Sequence, residues 1–479
     1  MRISYFIKKH ASGLMIILVL SSCASVGPDY IRPESPLPSR WNTGSGCNSA
    51  AVSQDTGLMT RWWSTFSDPE LMSLIERAIQ GNTDLRKAVA RIREARARRG
   101  ISRAALFPSV TASGSEQHTH AGSQTGVITV PDQYSLGLDG TWDLDIFGGK
   151  RRSVEAYQAD LDASVEDMRD VLVTLVSDVA SNYLDVRSYQ TRLSIAEANR
   201  DSQQETYQIT EWRFEAGLTT ALDVEQARYN LEQTRAEIPT LQTSLEEAKN
   251  GIAVLLGLNP GSLQGELAER KPIPVASSEI AAGVPADVLR NRPDVRRTER
   301  KLAAQTARIG VAVADLYPQF SLTGTIGLEA LSPGKLFASG SRTSGYSPGF
   351  SWTVFDAGSI RQNIEVQNAL QEQALIEYEA SILSALKEVN NALVAYAQEQ
   401  VRRQSLIEAS QAAKRAVDIA ENQYSSGLID FTVLLDDQRS LLTLQDSLAQ
   451  SEAAVMSDLI TLYKTLGGGW ESETPGENK

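Results

Sequence analysis

A chain of 479 residues with 42% hydrophobic and 22% charged residues has room for several domains. That composition excludes a disordered polypeptide and a bundle of membrane-spanning helices. The net charge of −13 argues against a nucleic-acid partner, which needs a basic face, and fits a duct or surface that passes cations.

The first residues read as an export signal. Arg2, Lys8 and Lys9 form a basic start, and Leu14 to Leu20 is an apolar core too short to anchor in a bilayer. Leu20-Ser21-Ser22-Cys23 resembles the bacterial lipobox, whose Cys is lipidated and becomes the mature N-terminus. The alternative is an ordinary signal peptide with an incidental Cys. Ala24 follows, where an Asp in this lipoprotein class would imply retention in the inner membrane, so outer-membrane sorting is expected. An acylated Cys23 has no thiol, which leaves Cys47 without a disulfide partner and structurally neutral.

Beyond this leader the chain repeats itself. Leu106-Phe107-Pro108 matches Leu316-Tyr317-Pro318 at an offset of 210. Asn82 to Arg86 matches Arg292 to Arg296 at the same offset, as do Trp142 and Trp352, Gly217-Leu218 and Gly427-Leu428, and Leu256-Gly257 and Leu466-Gly467. A slip near Phe147 and Phe355 is the main departure. Two copies of one supersecondary unit follow, each reading helix, strand, loop, strand, long helix, turn, helix.

In the first copy, Gln133 to Ile146 alternates strictly. Tyr134, Leu136, Leu138, Trp142, Leu144 and Ile146 lie on one face, and Gln133, Ser135, Asp139, Thr141, Asp143 and Asp145 on the other. Ser109 to Gly114 is a weaker case. Gln319 to Ala330 and Tyr346 to Val354 repeat the pattern in the second copy. Alternation of apolar with Ser, Thr and Asp is the transmembrane β-barrel pattern, with a soluble sandwich edge as the alternative. Four strands cannot close a barrel, and an open edge in lipid leaves backbone groups unpaired, so several copies must share one barrel.

Lys150 to Glu215 and Gln362 to Ser426 contain no Pro or Gly. Each predicts a helix of about 100 Å at 1.5 Å per residue, the length of a coiled coil or helical barrel. Leu161, Val165, Met168, Leu172, Leu175 and Val179 form a seam, and so do Ile382, Leu386, Val389, Leu393 and Tyr396. Gly217 and Gly427 suit the left-handed residue that ends a helix; Thr219 or Thr220, and Asp430, are candidate caps for the next. Pro239, opposite Ala449, predicts a kink that interrupts one shorter helix. Because each strand pair crosses and returns, the lipidated terminus puts the helices in the periplasm. The loops at about 116–132 and 331–345 then face outward.

Enzyme signatures fail. Gly345-Tyr346-Ser347-Pro348-Gly349 has the letters of a nucleophile elbow, but no His follows His120. His118 and His120 lack a third metal ligand and read as exposed loop residues, so no metal site is expected. No phosphate-binding loop or dinucleotide fingerprint is present, and energy must come from a partner.

These elements resemble the TolC-like outer-membrane factors, in the OprM/NodT-like lipoprotein branch that serves RND-type efflux pumps. The resemblance rests on Val26-Gly27-Pro28-Asp29-Tyr30-Ile31-Arg32-Pro33, Trp62-Trp63, Phe66, Asp68-Pro69, Leu71, Leu74-Ile75, Asn82, Asp84-Leu85, Ala88, Ala95-Arg96-Ala97 and Leu466-Gly467-Gly468-Gly469-Trp470. It implies a membrane α+β fold: a trimeric 12-stranded β-barrel, four strands per chain, continued by a long periplasmic α-helical barrel with an internal two-fold repeat. It divides the chain into a signal peptide (1–22), an N-terminal anchor and equatorial segment (23–61), repeat 1 (62–257), an equatorial linker (258–286), repeat 2 (287–466) and a tail (467–479).

The implied function is that of the outer-membrane channel of a tripartite efflux pump. It would be a passive exit duct for drugs or other small toxic compounds, delivered by an inner-membrane transporter and a periplasmic adaptor. A type I secretion duct and a non-conducting structural lipoprotein are the alternatives. No cofactor is implied beyond the lipid on Cys23. Arg213, Gly217, Leu218, Thr219, Thr220, Gly427 and Leu428 match the tips that dock the adaptor. Asp436, Asp223 and Tyr424 match the periplasmic gate. Ile429 stands where some members have an Arg that pairs with the Asp223 position, and Val433 where some have a second Asp.

Overall fold

The computed structural model describes residues 25–33, 61–118, 132–275 and 286–470. Cys23, Cys47 and His120 lie outside them. The chain divides into two compact units. Each takes segments from both repeats rather than following the repeat boundary.

The first unit holds residues 90–165 and 297–380 together with the N-terminal segment. Its centre is a four-stranded antiparallel sheet in the order β1 (Ser109–Gln117), β2 (Gln133–Leu144), β3 (Gln319–Ala330) and β4 (Arg342–Ser351). β4 starts and ends earlier than the expected 346–354. Pairing of Ser109 with Thr141 and of Gln319 with Ser351 gives β1–β2 and β3–β4 one register, displaced by 210 in both strands. The same bond locks each hairpin base: the Trp142 indole donates to the Leu106 carbonyl (2.9 Å) and the Trp352 indole to the Leu316 carbonyl (3.0 Å).

Across the sheet, Ala112, Leu138 and Ile326 align in one row and Leu144, Phe320 and Phe350 in another. The opposite face carries Thr111, Asp139 and Thr325, with Ser109, Thr141, Thr323 and Ser347 in the next row. The apolar face is largely exposed on the single chain. The Gly345–Gly349 motif lies inside β4, not at a strand-to-helix turn, so it lacks the geometry of a nucleophile elbow. His118 bridges two carboxylates at the hairpin end, Glu116 (2.9 Å) and Asp132 (2.8 Å).

The N-terminal segment is strapped to this unit. Val26 N–H donates to the Phe147 carbonyl (3.0 Å), and the Arg152 guanidinium reaches Val26 O, Gly27 O and Asp29 at 2.6–3.3 Å.

The second unit holds α1 (Pro69–Gly81) and the greater part of the long helices. α2 (Thr83–Ala104) precedes β1, and α3 (Gly149–Glu215) is followed by α4 (Ala221–Leu255). In the second repeat, α5 (Pro293–Ala314), α6 (Ser359–Ser425) and α7 (Phe431–Thr465) correspond. α3 and α6 each run 67 residues and α4 and α7 each 35. Among the described residues no helix is long and apolar enough to cross a membrane. The seam is real: Leu161, Leu175, Val179, Ile382, Val389 and Leu393 are buried, and Met168 and Leu172 pack on the core. Pro239 does not interrupt α4, which matches α7 residue for residue in length. The missing N–H removes one hydrogen bond, and the remaining ladder carries the helix through.

The motif from Trp62 to Ile75 is structural. Trp62 stacks on Tyr463 (5.3 Å, 11°) over Phe66, Leu71, Leu74 and Ile75. Asp68 caps α1 by accepting from Glu70 N–H and Leu71 N–H, and its other oxygen accepts from the Tyr183 hydroxyl (2.6 Å). Gly81 lies so close to the end of α4 that a Cβ there would sit 2.2 Å from the Leu256 carbonyl. Asn82 Nδ2 donates to the Leu255 carbonyl (2.8 Å), and its repeat counterpart, Arg292, reaches the equivalent Thr465 carbonyl (2.7 Å).

Candidate functional site at the two helix-hairpin turns

Both turns have one construction. Gly217 (φ 72°) and Gly427 (φ 75°) take the left-handed conformation that lets a chain leave a helix. The next N–H bonds back into the last turn, Leu218 to Arg213 O (2.7 Å) and Leu428 to Gln423 O (2.9 Å). Leu218 and Leu428 are then thrust outward, 69% and 75% exposed. Trp212, Phe214 and Leu222 add exposed apolar surface at the first turn, which the motif comparison did not single out.

The caps differ. Thr220 begins α4 in a capping box with Asp223, and Thr219 donates its hydroxyl to the same carboxylate (2.6 Å). Partial burial pushes the Asp223 carboxyl up, but bonds from the Thr219 hydroxyl and the Thr220 N–H and hydroxyl outweigh it and hold the group below the ordinary Asp range. Asp430, expected to cap α7, begins that helix without a side-chain cap bond. Its α7 terminus is instead seated by packing, with Ile429 and Phe431 against Tyr424, Leu434 and Leu435.

A clasp joins the two hairpins. Arg213 donates to the Tyr424 carbonyl (2.6 Å) and lays its guanidinium over the Tyr424 ring (4.6 Å). The buried Tyr424 hydroxyl meets Thr210 (3.3 Å). Arg213, expected at the docking surface, thus also makes these bonds within the chain. Further along, Thr206 meets Gln438 (3.0 Å), Asn199 meets Gln445 (3.0 Å) and Arg192 meets Asp446 (2.5 and 3.2 Å). Positions 192, 199 and 206 are seven apart, so one face of α3 carries this polar ladder to α7.

Asp436 stands apart. It is exposed, next to the buried Leu435, and has no hydrogen-bond or ion-pair partner among the described residues. Asp437 is half-buried, and as the next residue on the helix it lies about 100° around the axis from Asp436. Asp223 thus lies in the bonding of its own hairpin and Tyr424 in the clasp between the two, whereas Asp436 is left without a partner among the described residues. No group of three metal-ligand side chains occurs among the described residues.

The outer membrane efflux protein family model matches residues 74–258 and again 284–468, two segments displaced by the same 210 residues. This chain belongs to the outer membrane efflux protein family. It is 33% identical over 457 residues to nodulation protein T of Rhizobium leguminosarum bv. trifolii, covering 95% of this chain and 96% of that one. The toluene efflux pump outer membrane protein TtgC of Pseudomonas putida is 32% identical, with 96% of each chain covered. The solved outer-membrane channel OprN superposes with a TM-score of 0.87 at 37% identity, over 93% of this chain and all of that one. As an outer membrane efflux protein the chain is a TolC-like channel component of a tripartite pump, located in the outer membrane, in a family of ducts rather than enzymes. Its partners are accordingly a periplasmic adaptor and an inner-membrane transporter.

Proposed function

We propose that three copies of this chain close one twelve-stranded barrel and form a passive exit duct. An RND-type transporter would load it with drugs or other small toxic compounds. The observation that carries this reading is the four-stranded sheet itself. One face is apolar and exposed, the other is Ser, Thr and Asp, and both edge strands, β1 and β4, lack an outer neighbour among the described residues. Lipid covers such an apolar face, and only closure satisfies the edges. Native mass spectrometry in detergent is expected to give a mass of three chains; a stable monomer or dimer overturns the trimer.

The projecting Leu218, Leu428, Thr219 and Thr220, with Gly217 and Gly427 setting the turns, form the adaptor-docking tips. Asp436 forms the constriction. Asp223 and Tyr424 restrain it by keeping the turns stiff. Lipidation of Cys23 anchors the terminus in the inner leaflet, two residues before the strapped segment begins at Ser25. Cys23→Ser is expected to abolish acylation while leaving assembly intact, because the barrel holds itself in the bilayer. Metabolic labelling with a radioactive fatty acid, alongside native mass, tests both halves; loss of the trimer in an exported variant contradicts the second.

A further inference from the structure

The end of α2 is unlike the rest of this acidic chain. Between residues 93 and 103 it sets Arg93, Arg96, Arg98, Arg99 and Arg103 against a single acid, Glu94. Arg98 pairs with that acid (2.7 Å). The other four arginines have no hydrogen-bond or ion-pair partner among the described residues, and the Nε of Arg99 is buried without one. Arg93, Arg96 and Arg103 are exposed. Four uncompensated positive charges thus gather in about three helical turns, in a chain of net charge −13.

The second repeat treats the same face differently. Displacement by 210 sends Arg93, Arg96, Arg99 and Arg103 to Ala303, Thr306, Ile309 and Val313 of α5. That neutral face lies under the N-terminal segment. Tyr30 packs on the Ala303 and Ala304 cluster, and Gly27 crosses Gly310 so closely that a Cβ on Gly27 would sit 2.4 Å from the Gly310 Cα. The counterpart of Gly310 is Gly100, where a Cβ would meet nothing within 4 Å. The chain has one such segment for two such faces. One face is neutral and covered; the other is basic and open.

The depth of the open face supplies its occupant. Arg103 stands three residues before Leu106, whose carbonyl takes the Trp142 indole at the hairpin base. Interfacial tryptophans mark the edge of the hydrocarbon in membrane barrels. Arg96 lies two turns, about 10 Å, further from that edge. The arginines therefore span the headgroup layer on the helix side of the sheet. The covered face agrees, because its segment begins two residues after Cys23. Phospholipids bring phosphate esters to that layer. A guanidinium matches phosphate oxygens in a two-pronged geometry, and a basic cluster beside a membrane is drawn to an anionic leaflet.

We propose that Arg93, Arg96, Arg99 and Arg103 form a binding face for anionic glycerophospholipid headgroups of the inner leaflet. The face rests on the membrane reading of the sheet given above and adds a lipid that the chain selects.

The lipidated chain, purified in detergent, is mixed with palmitoyl-oleoyl phosphatidylglycerol or with phosphatidylcholine of the same acyl chains and measured by native mass spectrometry. The multi-copy species is expected to retain several-fold more phosphatidylglycerol, and to keep it against equimolar inorganic phosphate. Arg93→Gln/Arg96→Gln/Arg99→Gln/Arg103→Gln should abolish the preference with the number of copies unchanged, and the milder Arg96→Gln/Arg103→Gln should weaken it. Arg228→Gln/Arg235→Gln/Arg402→Gln/Arg415→Gln removes the same charge from exposed positions of the other unit and should leave the preference intact. Equal retention of the two lipids by an intact assembly, or equal loss of the preference in both fourfold variants, overturns the lipid face. Displacement by phosphate also overturns it, by making it a general anion surface. Loss of the multi-copy mass in lipid-free detergent when the four α2 arginines are replaced gives the face to a second copy of the chain instead. A monomeric wild-type chain overturns the multi-copy barrel itself.

Discussion

Replacing Arg187 with Ala should destabilise the helical unit by about 3–5 kcal/mol, the usual cost of removing one partner from a buried charged network. Arg187 is 0% exposed. Its guanidinium donates to Glu70 (2.6 Å), Gln190 (2.7 Å), the Glu269 carbonyl (2.9 Å) and the Tyr183 hydroxyl (3.0 Å). It also lies 4.8 Å from the Tyr183 ring centroid. Truncation removes all of these at once and opens a cavity beside the Trp62 core. Glu70 would keep only Lys271 (2.6 Å), which is itself partly exposed. The Tyr183 hydroxyl, whose pKa is raised by burial and by its bond to Asp68, would lose the cation that opposes that rise. Guanidinium unfolding followed by circular dichroism at 222 nm measures the loss; a change under about 1 kcal/mol would mean the network is replaceable by water. Arg187→Lys should recover only part, since a point charge cannot span four acceptors in different directions.

Asp436→Ala should reduce cation preference several-fold and raise conductance in planar bilayers. Three carboxylates brought together near an axis attract cations and repel one another, and no bond among the described residues holds this side chain elsewhere. Asp223 differs, because its charge is consumed by Thr219 and Thr220. Replacing Asp223 and Tyr424 together should therefore favour the open state by loosening two turns, with less change in ion selectivity. Arg213→Ala, which breaks the clasp, should act in the same direction as that pair. Single-channel recordings separate the two effects, because selectivity reports the ring and open probability reports the turns. Unchanged conductance and selectivity in Asp436→Ala would place the constriction at another residue.

Much of the fold was legible in the residues. The offset of 210, the alternation at Gln133 to Ile146 and the unbroken runs of 67 residues depend on local spacing, and local spacing is what a sequence records. The glycines of both turns were legible for a similar reason: only a residue without Cβ takes that conformation freely. Asp430 obeys a local rule that packing overrides, and Pro239 costs α4 a hydrogen bond without ending it. Phe431 and its neighbours seat the start of α7 without a capping side chain, and the rest of α4 absorbs one lost hydrogen bond.

The gate residues show where the sequence runs out. Arg213 and Tyr424 are not repeat counterparts, since displacement by 210 sends Arg213 to Gln423 and Tyr424 to Phe214. Their clasp breaks the internal symmetry, and no periodic reading finds it. Arg192 and Asp446 likewise meet across 254 residues. By itself the sequence determined the repeat, the strand faces, the helix lengths and the turns, because each follows from the spacing of neighbouring side chains along one element. Tertiary structure alone decided that Tyr424 is clasped by Arg213 and Thr210 while Asp436 has no partner among the described residues, because such partners depend on which helices are packed together.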